Sequence, residues 1–143
     1  MAKQSKNRVK LKKKYKTVGR IPLDAFREIR KVIKLSEPVQ SIRANTGNAV
    51  KHNNKHMDDL ETKLAELGLT KENYAEFVAR NFNEIHKGNT LQSLLLAVAN
   101  EDFPNHVAAV HLHFEKKENF WLVTSVHAIR PDELERIPLI WKK

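Results

Sequence analysis

Val107-Ala108-Ala109-Val110-His111-Leu112-His113-Phe114 and, after a polar break, Phe120-Trp121-Leu122-Val123-Thr124-Ser125-Val126-His127-Ala128-Ile129 decide how this chain folds. From Val110 to Phe114 apolar and polar residues alternate, which is the period of a strand with one face in a core. Glu115-Lys116-Lys117-Glu118-Asn119 between the two runs reads as a polar hairpin loop. Pairing Phe114 with Phe120 sets Leu112 opposite Leu122 and Val110 opposite Thr124. One face then carries Val110, Leu112, Phe114, Phe120, Leu122, Thr124 and Val126, and packs on helices. The other carries His111, His113, Trp121, Val123, Ser125 and His127. A slip of one residue in the return strand exchanges Thr124 for Ser125, so the two belong together as a unit.

Outward from the hairpin, the apolar run over 91–99 reads as a buried strand, and residues 100–105, with Pro104, as a turn. Residues 137–141 read as a last short strand. Upstream the period changes. Ala25, Phe26, Ile29, Val32 and Ile33 recur at helical spacing over 23–35, and Pro38 stops that helix. A short strand over 39–44 follows. Residues 47–67 have helical character, as one helix or as two with a break near Met57. Thr70 caps a further helix to about His86, with Tyr74, Phe77, Val78, Phe82 and Ile85 on its apolar face. The expected fold is therefore α+β, with N-terminal helices packed on a C-terminal antiparallel sheet of about four strands.

Charge divides the 143 residues in two. The lysines and arginines among residues 1–20 meet no acidic residue and account for the whole net charge of +9, so residues 21–143 are balanced. A basic arm over 1–20 on a single neutral domain over 21–143 points to a polyanion, most often nucleic acid, with Lys10, Lys12, Lys13 and Lys14 as contacts. A solubilising tail is the plainer alternative. No run of about 18 apolar residues is present, so no membrane partner is expected. The chain has no cysteine, which removes disulfides and thiolate chemistry and fits a cytoplasmic protein.

Val50-Lys51-His52-Asn53-Asn54-Lys55-His56 places two histidines and two lysines each four apart. On a helix the imidazoles would share one face and the ammonium groups the next. Metal binding is disfavoured, because the intervening residues hold no glutamate and the lysines repel a cation, although His111 and His113 remain as further ligands. Ser125 lacks the flanking glycines of a nucleophile elbow. No glycine-rich phosphate loop exists among the four glycines. Metal-free, cofactor-free RNA cleavage fits these parts better. The 2′-hydroxyl is its own nucleophile, so the enzyme supplies a base, an acid and groups that hold the phosphorane charge.

The order of parts resembles the barnase–EndoU–colicin–RelE nuclease superfamily, in particular its phage-associated branch. The resemblance rests on a short strand, a capped helix ending His52-Asn53-Asn54-Lys55-His56, a long helix, and a hairpin closing on Trp121-Leu122-Val123-Thr124-Ser125, over roughly residues 38–130. It implies a small toxin-like ribonuclease, with His52 and His56 as acid and base, Lys55 and Lys51 as phosphate cations, and Thr124, Ser125 and His127 at the scissile phosphate. Arg43 or Arg130 would supply a strand arginine, and Trp121 a surface on which a base stacks. RNA and a cognate inhibitor protein are the implied partners. Delivery as a toxin domain is implied as well. A non-catalytic nucleic-acid-binding module built on the basic arm, and a phage structural or protein-interaction domain, are the competing readings.

Overall fold

A computed structural model describes residues 15–45, 51–52, 71–99 and 107–143. Among these the chain forms β1 (Tyr15–Arg20), α1 (Leu23–Ile29), β2 (Ser41–Asn45), β3 (Lys51–His52), α2 (Lys71–Asn81), β4 (Glu84–Lys87), β5 (Ser93–Val98), β6 (Val107–Glu115), β7 (Phe120–Ile129), α3 (Pro131–Leu134) and β8 (Leu139–Lys142). The strands make one sheet in the order β1-β2-β7-β6-β5-β4-β8, with β3 also beside β7. The pairs β2–β7 and β3–β7 are parallel and the others antiparallel. The fold is α+β with a mixed sheet.

This sheet is larger than the four antiparallel strands expected, and its helices are spread along the chain instead of preceding it. Three local causes account for the difference. Residues 15–20, assigned by charge to the arm, form an edge strand: Val18 is buried and Tyr15 packs on Phe120 with ring centroids 5.0 Å apart. Lysine and arginine then face outward along this edge, where charge discourages pairing with other chains. Residues 84–87, expected to end the long helix, form β4. Asn83 turns the chain there, its side-chain amide bonding both the N–H and the C=O of Ala99 at 2.9 Å. Finally, Lys51–His52 is a strand where a helix was expected; the rest of residues 46–70 lies outside the described residues.

The first helix is also shorter than its apolar spacing implied. Its regular bonding ends at Ile29, and the N–H of Val32 reaches back only three residues, to the Ile29 carbonyl. That tight turn keeps Ile33 buried and leaves Val32 exposed.

All six residues of β5 are buried because both faces of the strand are covered. Leu94, Leu96 and Val98 join a large core with Phe26, Ile29, Tyr74 and Val78 from α1 and α2. Leu95 and Ala97 join a smaller cluster on the opposite face, closed by Leu134 of α3.

The β6–β7 hairpin differs by one residue from the expected register. Glu115 pairs with Phe120 and Phe114 with Trp121, and a bulge lies where His111–Leu112 faces Val123–Ser125. Asn119 closes the loop at φ 56°, a left-handed conformation that asparagine tolerates. Trp121 and Val123 therefore point into the main core, while Phe120 lies on the other face.

Gly19 sits at a shift in the β1–β2 register, where β1 closes on α2. A Cβ there would lie 2.5 Å from the Ala79 carbonyl oxygen. Gly19→Ala is expected to cost about 1–3 kcal/mol, read as a lower urea midpoint, whereas an unchanged midpoint would show that the contact relaxes freely.

Candidate functional site

The bulge creates the site. Across it, Thr124 and Ser125 occupy one extra position in β7, so Val123 and Val126 both stay buried while Ser125 and His127 come to the opposite face. His111 of β6 pairs with Ser125 in register. Its Nδ1 lies 2.8 Å from His127 Nε2, with the two rings edge to face and their centroids 4.5 Å apart. Ser125 Oγ lies 2.7 Å from His127 Nε2 and 3.5 Å from His111 Nδ1. The hydroxyl of Thr124 donates to the His111 carbonyl at 3.3 Å. His127 Nε2 is thus the apex of two contacts. As an N–H it is shared between Ser125 and His111; as a lone pair it accepts from one of them.

Both rings are half-buried, and burial holds each below the ordinary histidine value. His127 is lowered furthest, to about 4, because a charge on it is disfavoured by burial first and by His111 second. At neutral pH the pair is uncharged and can take up a proton from a substrate.

Tyr74 of α2 fixes this point of the sheet from the core side. Its hydroxyl accepts from the Ala109 N–H at 3.1 Å and donates to the His127 carbonyl. Ala109 and His127 are register partners, so one buried hydroxyl bridges the two strands behind the histidine pair. Burial pushes this phenol well above its usual value, and it serves as a neutral structural group.

The expected site residues separate into three groups. Ser125 and His127 meet, with Thr124 in the same bulge. Lys51 and His52 reach the site through their backbone: β3 runs parallel to β7 with Lys51 level with Ser125 and His52 level with Val126. His56, Lys55, Lys10, Lys12, Lys13 and Lys14 lie outside the described residues. One RNA-contact assignment changes. Trp121 is fully buried and donates its indole N–H to the Val39 carbonyl at 2.8 Å, so it offers no stacking surface. Arg43 is engaged within the fold: its guanidinium lies 4.6 Å from the Phe120 ring centroid and 3.7 Å from Glu118.

His111 belongs to the site, although by sequence it is one of three histidines on the polar face with general acid–base character and a further metal ligand. Alternation placed it on the correct face, but its contact with His127 needs the bulge. Tyr74 gave no signal beyond an apolar helix position. His86 has a different role: buried, it bridges the Ile137 carbonyl at 3.0 Å and Glu84 at 2.8 Å, tying β4 to the segment before β8. Arg130 pairs with Asp132 and Glu133 at the start of α3. Among the described residues no three histidine or carboxylate side chains converge as a metal site, and no helix is long and apolar enough to cross a membrane.

Two outcomes follow for stability. A histidine held below its unfolded value is neutral when folded but protonates when unfolded, so its stabilising contribution is complete above about pH 6.5 and is lost as pH falls towards about 4. The wild-type urea midpoint is expected to fall across that window more steeply than that of His127→Gln; parallel curves would contradict the depressed value. Tyr74→Phe leaves the Ala109 N–H and His127 carbonyl without their bridge, and is expected to cost about 1–3 kcal/mol by urea unfolding.

Comparisons of the chain with protein-family models, with curated proteins and with solved structures found no match.

Proposed function

We propose that this chain is a metal-independent endoribonuclease of the toxin type, allied to the barnase–EndoU–colicin–RelE group and acting on cytoplasmic RNA. The observation that supports this reading is the parallel register of β3 on β7, which sets the backbone of Lys51–His52 beside the strand bearing Ser125 and His127. On this reading RNA is the substrate and a cognate inhibitor protein a partner.

In-line attack requires base and acid on opposite sides of the phosphate. His111 Nδ1 and His127 Nε2, 2.8 Å apart, are too close to span it alone. His127 is therefore assigned as the base that takes the 2′-OH proton. His111 is a positioning residue that holds the ring and lowers its affinity for protons. The acid that protonates the leaving 5′ oxygen comes from the stretch entering at Lys51–His52, with His56 or His52 in that role and Lys55 and Lys51 offsetting the phosphorane charge. Ser125 and Thr124 offer hydroxyls to the phosphate oxygens.

A non-catalytic nucleic-acid-binding module is the second reading, favoured by the acid-free basic segment at residues 1–20. It gives affinity that falls steeply with salt and does not depend on the histidines.

Incubation with total RNA in EDTA separates the two. Cleavage to 2′,3′-cyclic phosphate ends is expected, reduced about 10²–10⁴-fold in His127→Ala and in His56→Ala. Because His127 is lowered to about 4, the acid limb of kcat/KM should lie near that pH and move upward in His111→Ala. RNA left intact at high protein concentration would reject the nuclease reading.

A further inference from the structure

The two edges of the sheet lie at opposite ends of its strand order, yet both border one cleft. Beside β1 and β8 the cleft takes in α1 and α2, with a volume of about 720 Å³. This size lies within the usual range for a small-ligand site. Its chemistry is mixed in a particular way. Trp141 supplies an indole, with Phe82 edge to face at 6.0 Å between centroids. Asp24 accepts the indole N–H through Oδ2 at 3.1 Å, which fixes the ring plane. Arg20, Arg80 and Lys143 complete the lining.

Both guanidinium groups are tethered by one end. Arg20 Nη2 donates to Gln40 at 3.1 Å. Arg80 donates through Nε to Glu76 at 2.8 Å. Each keeps further N–H groups for a ligand. Glu76 is also held by Lys16 at 3.1 Å, so this neighbouring carboxylate meets two cations and leaves an excess of positive charge at the rim. A fixed aromatic plane beside forked cations matches a planar ring carrying a phosphate.

We infer that the β1–β8 cleft binds a nucleotide, with its base against Trp141 and its phosphate on Arg20 and Arg80. The nucleotide is either a free mononucleotide or one unit of a single-stranded RNA. Neither His111 nor His127 lines this cleft.

The chain has two tryptophans, and Trp121 is fully buried, so the quenchable fluorescence belongs to Trp141. Titration of the full chain with adenosine monophosphate is expected to quench that emission to saturation. Adenosine without phosphate should bind at least about tenfold more weakly, and so should the monophosphate to Arg20→Gln/Arg80→Gln. Both positions are exposed at the rim, so circular dichroism should be unchanged in that variant. An oligoadenylate hexamer that binds more tightly than the monophosphate assigns the site to an RNA strand; equal or weaker binding assigns it to the free nucleotide. No quenching by either probe at about 1 mM, or quenching indifferent to the two arginines, would overturn the assignment.

Discussion

A buried indole must place its N–H on an acceptor or lose about 1–3 kcal/mol. Trp121 does so through the Val39 carbonyl, just before β2. That bond draws the start of β7 alongside β2, in the register that sets Ile42 level with Trp121. With Trp121 inward, Val123 follows by alternation, and the bulge returns Val126 and Ala128 to the same core. Ser125 and His127 are left on the other face, opposite His111. The polar site is thus located by an apolar decision made at the far end of the same strand.

The parts legible in the sequence were those with short-range periodicity. The hairpin strands, the buried run that became β5, the first turns of α1 and most of α2 all announce themselves within a few residues. Register did not, because sliding β7 by one residue preserves alternation and only exchanges which aromatic enters the core. Phe120 and Trp121 were equally eligible, and the acceptor that selects Trp121 lies on a distant segment. For the same reason β4 was read as helix: Asn83 is held by Ala99, a partner no local window contains. Lys51–His52 looked helical from the spacing of its charges, whereas its strand pairing comes from β7.

The site was legible in composition but not in contact. Ser125 and His127 stand out from their face, and His111 lies on that face as a further imidazole with no partner assigned. What the sequence withheld was the extra residue in β7 that sets His111 level with Ser125 and near His127. The edge cleft was wholly invisible, since Arg20, Arg80 and Trp141 become neighbours only once the sheet has curled round α1 and α2.

β7 has an unusual neighbour arrangement along one side. β2 covers it at Trp121–Leu122, and the separate two-residue β3 covers it at Ser125–Val126. One strand is therefore held by two clamps of different strength. The clamp near Trp121 is backed by a fully buried indole, whereas the one beside the histidines consists, among the described residues, of a single two-residue pairing. Local opening costs least where few backbone bonds and little apolar burial oppose it. The amides of β3 should thus exchange with solvent well before those at Trp121, so the strand edge beside Ser125 opens locally while the body of the sheet stays closed.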